Sequence, residues 1–210
     1  VTGHDPTVRI DVWSDVQCIW CYISSARLRS AIAQHGGDVQ VTYRSFELTP
    51  DAPVEVDRDA HIAGQDIDPA RMQRIMSQLA DLTAAEGLAY EPDRTQPTNS
   101  HLALELLHHA DTVGVRAELT RRLFVAYFAE GAHIGRIDDL VGLAADAGVD
   151  PDDARSALVQ RRHRAEVDAD VERARALGAR GVPFYVVNDT WALSGAQPTE
   201  QFLAVFQEVQ

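Results

Sequence analysis

The stretch SDVQCIWCYI holds the only two cysteines of the chain, Cys18 and Cys21, with Ile19 and Trp20 between them. What flanks this pair narrows the fold more than any other feature. Upstream, TVRIDVW sets Val8, Ile10 and Val12 against Arg9, Asp11 and Trp13, the period of a strand. Downstream, YISSARLRSAIAQHGG places Ile23, Arg27/Leu28 and Ile32 at helical spacing, and Gly36 and Gly37 end the run because glycine accepts the left-handed C-cap conformation. VQVTYRSFEL then resumes alternation through Val39, Val41, Tyr43 and Ser45. A strand–helix–strand unit of about 40 residues demands a parallel pair with a right-handed crossover. The cysteines therefore sit where the first strand turns into the first helix.

That position has chemical consequences. A helix N-terminus carries about half a positive charge and unpaired N–H groups, and both favour thiolate over thiol. Cysteines so placed have pKa values of roughly 3.5 to 7.5. Cys21 lies one helical turn deeper, where it can close a disulfide with Cys18, so Cys18 reads as the attacking sulfur and Cys21 as the resolving one. Half a zinc site is the first competing reading, but no further cysteine exists. His101, His108, His109 and His133 show no paired ligand spacing, so no metal is expected. A purely structural bridge is the other, and so short a loop adds little chain-entropy stabilisation.

The middle of the chain is helical by pattern. PARMQRIMSQLADLTAAEGL aligns Met72, Ile75/Met76, Leu79 and Leu82 on one face, and AELTRRLFVAYFAEG carries Leu119, Leu123, Phe124, Tyr127 and Phe128. SHLALELLHHADTVG and DDLVGLAADAG add further helices, DPDDARSALVQ opens with Asp150 as N-cap, and VDADVERARALGARG turns Val167, Val171, Ala174 and Leu177/Gly178 inward. TPDAPVEVDRDAHIAGQDIDP is expected to loop out. Strand character returns at VPFYVVN, NDT turns the chain, WALSG is the return strand, and TEQFLAVFQEVQ is a last helix with Phe202, Val205/Phe206 and Val209 inward. The expected fold is α/β, β-α-β plus β-β-α, with a large all-helical domain inserted after the second strand. The bounds are 1–56 and 176–210 for the α/β domain and 57–175 for the helical insertion.

Composition excludes several function classes. The net charge is −13, and such a surface repels phosphate backbones and anionic lipid, so neither nucleic acid nor membrane is an expected partner. All 19 basic residues are arginine, so P-loop, Schiff-base and pyridoxal-phosphate lysines are impossible. No apolar run approaches the roughly 20 residues that cross a bilayer, and the opening VTGHDPTV lacks the pattern of a signal peptide. Two cysteines are too few for a disulfide scaffold, which favours a cytoplasmic home.

The motif GVPF, Gly181 to Phe184, enters the third strand; by itself Pro183 reads as a strand-entry proline, trans or cis. Taken with IDVWSDVQCIWCYI, VTYRSFELTPD, PTNSHLALEL, LFVAYFAEGAHI, GARGVPFYVV and SGAQPTEQF, it makes nearly the whole chain resemble the thioredoxin-like DsbA family of thiol–disulfide oxidoreductases, in its FrnE-like branch. The resemblance implies a redox-active Cys18–Cys21 pair, a cis Val182–Pro183 bond beside it, and disulfide- or thiol-containing substrates, protein or small molecule. A monomer or homodimer is expected, with no bound cofactor and with glutathione as a possible co-substrate. One departure stands out: the branch usually has Pro-Trp between its cysteines, whereas this chain has Ile19-Trp20.

Around the pair, Trp20 reads as a lid over the disulfide or as a core anchor. Asp11 reads as a buried carboxylate moving a proton to or from Cys21 or as a solvated strand residue. Trp13, Ser14, Phe46, Asn99, His101, Gly195 and Gln197 are the candidates for substrate contact, with core and cap roles competing. SGAQP, at the start of the last helix, offers N–H groups to a carboxylate. The rival function is a glutathione-dependent isomerase or transferase of the related 2-hydroxychromene-2-carboxylate isomerase and kappa-class branch. That branch typically carries serine where Cys18 stands.

Overall fold

The computed structural model describes residues 7–64 and 67–209. The opening segment 1–6, read above as free of a signal-peptide pattern, and positions 65–66 of the acidic loop lie outside the described residues. The chain runs β1 (Val8–Ser14), α1 (Ile19–His35), β2 (Val39–Ser45), α2 (Arg58–Ala63), α3 (Pro69–Ala85), α4 (His101–Thr112) and α5 (Arg116–Val125). It continues α6 (Ile137–Asp146), α7 (Pro151–Val159), α8 (Arg164–Ala176), β3 (Phe184–Val187), β4 (Trp191–Ser194) and α9 (Thr199–Glu208). Internal contacts divide it into two compact units, one of the residues up to Leu48 together with those from Ala169 onward, the other Thr49–Asp168.

The first unit is the α/β unit. Its sheet has the order β2-β1-β3-β4. β1 pairs parallel with β2 from Val8↔Val39 to Ser14↔Ser45, and antiparallel with β3 from Ile10↔Val187 to Trp13↔Phe184. Asn188 and Asp189, both left-handed with φ of 47° and 57°, turn β3 into β4, and Thr190 N closes the turn on the Val187 carbonyl at 3.1 Å. Strand alternation then sorts two cores. Val8, Ile10, Val12, Tyr185 and Val187 pack with Leu28 and Ala31 of α1 and with Phe202, Val205 and Phe206 of α9. The opposite face carries Trp13, Phe46 and Phe184 with Ala174 and Ala179.

That second face is fastened by polar bonds as well as by packing. Trp13 Nε1 donates to the Asp170 carbonyl at 2.9 Å. The Asp170 carboxylate accepts from Ser45 N at 2.9 Å and from Arg44 at 3.3 Å, and Arg44 also donates to Asp11 at 2.9 Å. One aspartate thus ties the middle of α8 to both parallel strands.

The helical unit holds the rest. α4 packs against α5, α6 and α7 around Leu104, Leu107, Leu119, Leu123, Phe124 and Leu158, all buried. A wide turn, Ala126–Glu130, follows α5 and ends at Gly131, whose φ is 72°. A Cβ there would stand 2.7 Å from the Arg94 carbonyl oxygen, so both the turn and the close approach require glycine. The unit begins at Thr49 rather than at 57 because the chain after β2 is bonded to the helices. Thr98 Oγ1 donates to the Val54 carbonyl at 2.8 Å, and Asn99 Nδ2 to that of Pro50 at 3.0 Å.

Three sequence expectations change here. The acidic loop contains α2, nucleated by Asp57 accepting from Ala60 N at 2.9 Å. The α3 stripe of Met72, Ile75, Met76, Leu79 and Leu82 is only half-buried, and Thr83 is the helix's buried residue. Met72 and Met76, with Ile62 and Ile67, instead line an open groove of about 780 Å³. Leu177 is 47% exposed, because α8 ends at Ala176 and Gly178 (φ 86°) turns the chain away.

Candidate active site

Cys18 is the N-cap residue of α1, with extended backbone (φ −89°, ψ 110°) and no side-chain capping bond. Its N–H donates to the Asp15 carbonyl at 3.0 Å and its carbonyl accepts from Tyr22 N at 3.1 Å, so the strand-to-helix turn closes on the cysteine itself. Cys21 follows on the buried face of α1. Both thiols are free and buried. From the other end of the unit, Val182 places its carbonyl oxygen 3.4 Å from Cys18 Sγ. The Val182–Pro183 peptide is cis, and the Pro183 carbonyl accepts from Gly195 N at 2.8 Å.

The two thiols are driven apart electrostatically. Cys18 is held below the ordinary thiol range, first because the Cys21 thiol donates to it and then through the amides of Cys21 and Trp20; burial and the Asp15 charge oppose this. Cys21 is pushed well above that range. Burial is the main cause, then its bond to Cys18 and the Cys18 charge, only partly offset by the Ser14 hydroxyl and the Asp15 backbone. Of the two sulfurs, Cys18 is thus the one favoured for ionisation and attack, and Cys21 the proton-bearing neighbour placed to follow it.

The remaining candidates fall into distinct places. Ser14 touches Cys21, at the end of β1. Trp20 is 45% exposed and so is not a core anchor; it lies on the surface between the cysteines. Trp13 and Phe46 are core residues of the sheet's second face, so neither lines a groove. Asp11 is engaged by Arg44 at 2.9 Å on that same face, opposite the side that packs against α1. The Gly195 N–H is spent on Pro183 and Gln197 Nε2 donates to the Ser194 carbonyl at 2.7 Å, so these groups brace the turn before α9. Asn99 and His101 belong to the helical unit. Asn99 Oδ1 accepts from His101 N at 2.8 Å, and the His101 ring meets Glu105 at 3.1 Å.

Two buried features escaped the sequence. Asp15 lies within the quoted cysteine stretch, yet a polar residue in a turn gave no reason to expect complete burial. Ser24 and Tyr185 share a 2.6 Å hydroxyl hydrogen bond in the core; burial pushes the Tyr185 hydroxyl up, so it stays neutral. Helical spacing from Cys21 to Ser24 was the available signal for the first of the pair.

The family described as DSBA-like thioredoxin domain matches residues 9–207. The protein YwbO of Bacillus subtilis strain 168, described as uncharacterized, is 30% identical over 213 residues, 97% of this chain and 98% of that one. The crystal structure of the probable DsbA oxidoreductase SCO1869 from Streptomyces coelicolor superposes with a TM-score of 0.88 at 32% identity, covering 96% of this chain and 89% of that one. The cytosolic disulfide reductase DsbM from Pseudomonas aeruginosa, solved with GSH, shares the fold at 18% identity and a TM-score of 0.67, covering 96% and 98% of the two chains.

Proposed function

Because the chain belongs to the DSBA-like thioredoxin domain family, we propose that it is a thiol–disulfide oxidoreductase, of the FrnE-like branch, whose redox couple is Cys18 and Cys21. The observation that carries this reading is the placement of the pair: Cys18 caps the start of α1 with its Sγ 3.4 Å from the Val182 carbonyl oxygen, and Cys21 is buried one turn along, the two thiols being displaced in opposite directions. Thiolate Cys18 attacks one sulfur of a substrate disulfide; that S–S bond breaks, the departing sulfur leaves as a thiolate, and a mixed disulfide forms. Cys21 then gives up its proton and attacks Cys18 Sγ, expelling the second substrate sulfur. The substrate gains two electrons and two protons, and the pair becomes a disulfide. Run backwards, the same steps oxidise a dithiol. The substrate is a protein or small molecule bearing a thiol or disulfide, and glutathione is the outside thiol that resets the pair. No metal or bound organic cofactor enters the cycle. The working compartment is the cytoplasm, and the working form a monomer or homodimer.

The decisive substitution is Cys21→Ser. A two-cysteine cycle needs Cys21 to release the mixed disulfide, so the variant accumulates covalent adducts at Cys18 and stops turning over disulfides. A glutathione-dependent isomerase holds glutathione non-covalently, so it traps nothing and keeps its activity on small aromatic substrates. Undiminished disulfide turnover by Cys21→Ser rules out the proposed cycle.

A further inference from the structure

Three residues ahead of the nucleophile lies a fully buried acid. Asp15 is 0% exposed in the turn from β1 to α1. Its Oδ1 accepts from Gln17 N at 3.2 Å; its Oδ2 accepts from Leu48 N at 2.8 Å, with Gln17 Nε2 at 3.5 Å. Both oxygens serve as acceptors, the role of an ionised carboxylate, and bonds from backbone N–H groups favour that form. Its carbonyl receives the Cys18 N–H at 3.0 Å. Dithiol exchange does not itself call for a carboxylate at this point. Serine or asparagine ties such turns without bringing a charge, and a buried charge is costly unless something is gained from it.

We propose that Asp15 is a positioning residue that poises the cysteine pair toward its disulfide: its carboxylate ties the turn to the backbone beyond β2 and holds a fixed negative charge against the Cys18 thiolate. The inference rests on the dithiol reading of the site. Its direction follows from the half-reaction. Reduction adds two electrons and two protons to the Cys18–Cys21 disulfide, and Cys18 then releases one proton to become thiolate. A group that favours thiolate stabilises the reduced pair and makes the disulfide more oxidising; a group that disfavours it does the reverse. Asp15 opposes the thiolate that Cys21 and the helix-start amides promote. It therefore makes the disulfide harder to reduce than the turn geometry alone would.

The test equilibrates the whole chain with glutathione buffers and compares wild type, Asp15→Asn and Asp15→Glu. Asp15→Asn is expected to shift the equilibrium about tenfold toward the dithiol, about 30 mV for this two-electron couple, and to lower the pH midpoint of Cys18 alkylation. Asp15→Glu, which restores the charge, is expected to move both back toward wild type. A role confined to bracing the turn predicts lower stability with unchanged potential and midpoint, and that result overturns the proposal. Should Asp15→Asn fail to fold, Asp15→Ser, which removes the charge and keeps an oxygen acceptor for the turn, takes its place: a shift toward the dithiol supports the proposal and an unchanged potential overturns it. A wild-type pair that exchanges no electrons with glutathione overturns the dithiol reading itself, an outcome distinct from a measurable potential that ignores Asp15.

Discussion

Cys18 Sγ lies 3.4 Å from the Val182 carbonyl oxygen, a contact that only the protonated sulfur can make as donor. Once ionised, Cys18 has the Cys21 thiol and the amides of Cys21 and Trp20 as partners instead. Losing one proton exchanges an acceptor for a set of donors with no change of backbone. The thiolate is thus met by groups already in place, which is how an exchange site avoids reorganising during the reaction.

The pH dependence follows from the two displacements. Alkylation of the reduced chain should show one thiol, lost in Cys18→Ser, titrating below the free-cysteine value of about 8.5, and a second that resists alkylation through that range. Stability of the reduced fold has the matching sign. The lowered Cys18 contributes stability that is fully present above the ordinary thiol pKa and is lost as pH falls through its folded value. The raised Cys21 acts oppositely, eroding stability as pH climbs past the ordinary thiol range. Urea midpoints of the reduced chain should therefore rise with pH toward about 8.5 and fall beyond it, and a flat profile contradicts the assignment.

Trp13 and Trp20 should respond oppositely to truncation. Trp13 is 0% exposed and hydrogen-bonded to Asp170, so Trp13→Ala is expected to cost about 3–5 kcal/mol and to weaken every function with the fold. Trp20, 45% exposed, should change stability by roughly 0.5 kcal/mol or less on conversion to alanine, while slowing exchange with bulky disulfides. Denaturant unfolding and a disulfide-turnover assay on the two variants separate the roles.

Asp170 should matter more than Asp11, although both face Arg44. Asp170 also takes the Ser45 N–H at 2.9 Å. Its removal leaves a buried donor without that partner, at roughly 1–3 kcal/mol, on top of a weakened ion pair. Asp170→Ala is expected to lower the unfolding midpoint by more than Asp11→Ala does, and the reverse order contradicts the account of this face.

Gly131 and Gly36 share a left-handed φ of 72° and 71° but differ in surroundings. Around Gly36 a Cβ meets nothing within 4 Å, whereas at Gly131 it meets the Arg94 carbonyl at 2.7 Å. Alanine at Gly36 should cost only the left-handed penalty, about 1–2 kcal/mol, and alanine at Gly131 distinctly more. Thermal unfolding of the two variants side by side checks the difference.

The reach of the sequence can be traced through β1. Alternation identified the strand and placed Val8, Ile10 and Val12 together, and the cysteine pair located the turn beyond it. Alternation does not say what covers the other face. Asp11 and Trp13 look equally fit for solvent or substrate until α8 is brought against them, from a stretch, VDADVERA, in which Asp170 is one acid among several. The Gly195 N–H seemed available to a ligand for the same reason: its partner, the Pro183 carbonyl, lies across the β3–β4 hairpin, which NDT and WALSG announce without fixing what pairs beyond its ends. On α3 the periodicity was correctly helical, but a moment describes one helix and cannot supply the neighbour that would bury its apolar stripe.

The α/β unit is assembled from both ends of the chain, and that arrangement imposes a timetable. Cys18 and its partner Val182 are 164 positions apart, so at about 5–20 residues per second the cysteine exists for roughly 10–30 s of synthesis before β3 has been made. Until β3 and α9 arrive, Val8, Ile10 and Val12 lack half of their cover, and the burial that separates the two thiols has not happened. The nascent pair then has only the local groups at the start of α1 to distinguish its two sulfurs, and is open to whatever oxidant or thiol surrounds it. The surroundings of the pair are completed only when Val182 and the strand after it have been translated, long after the cysteines themselves.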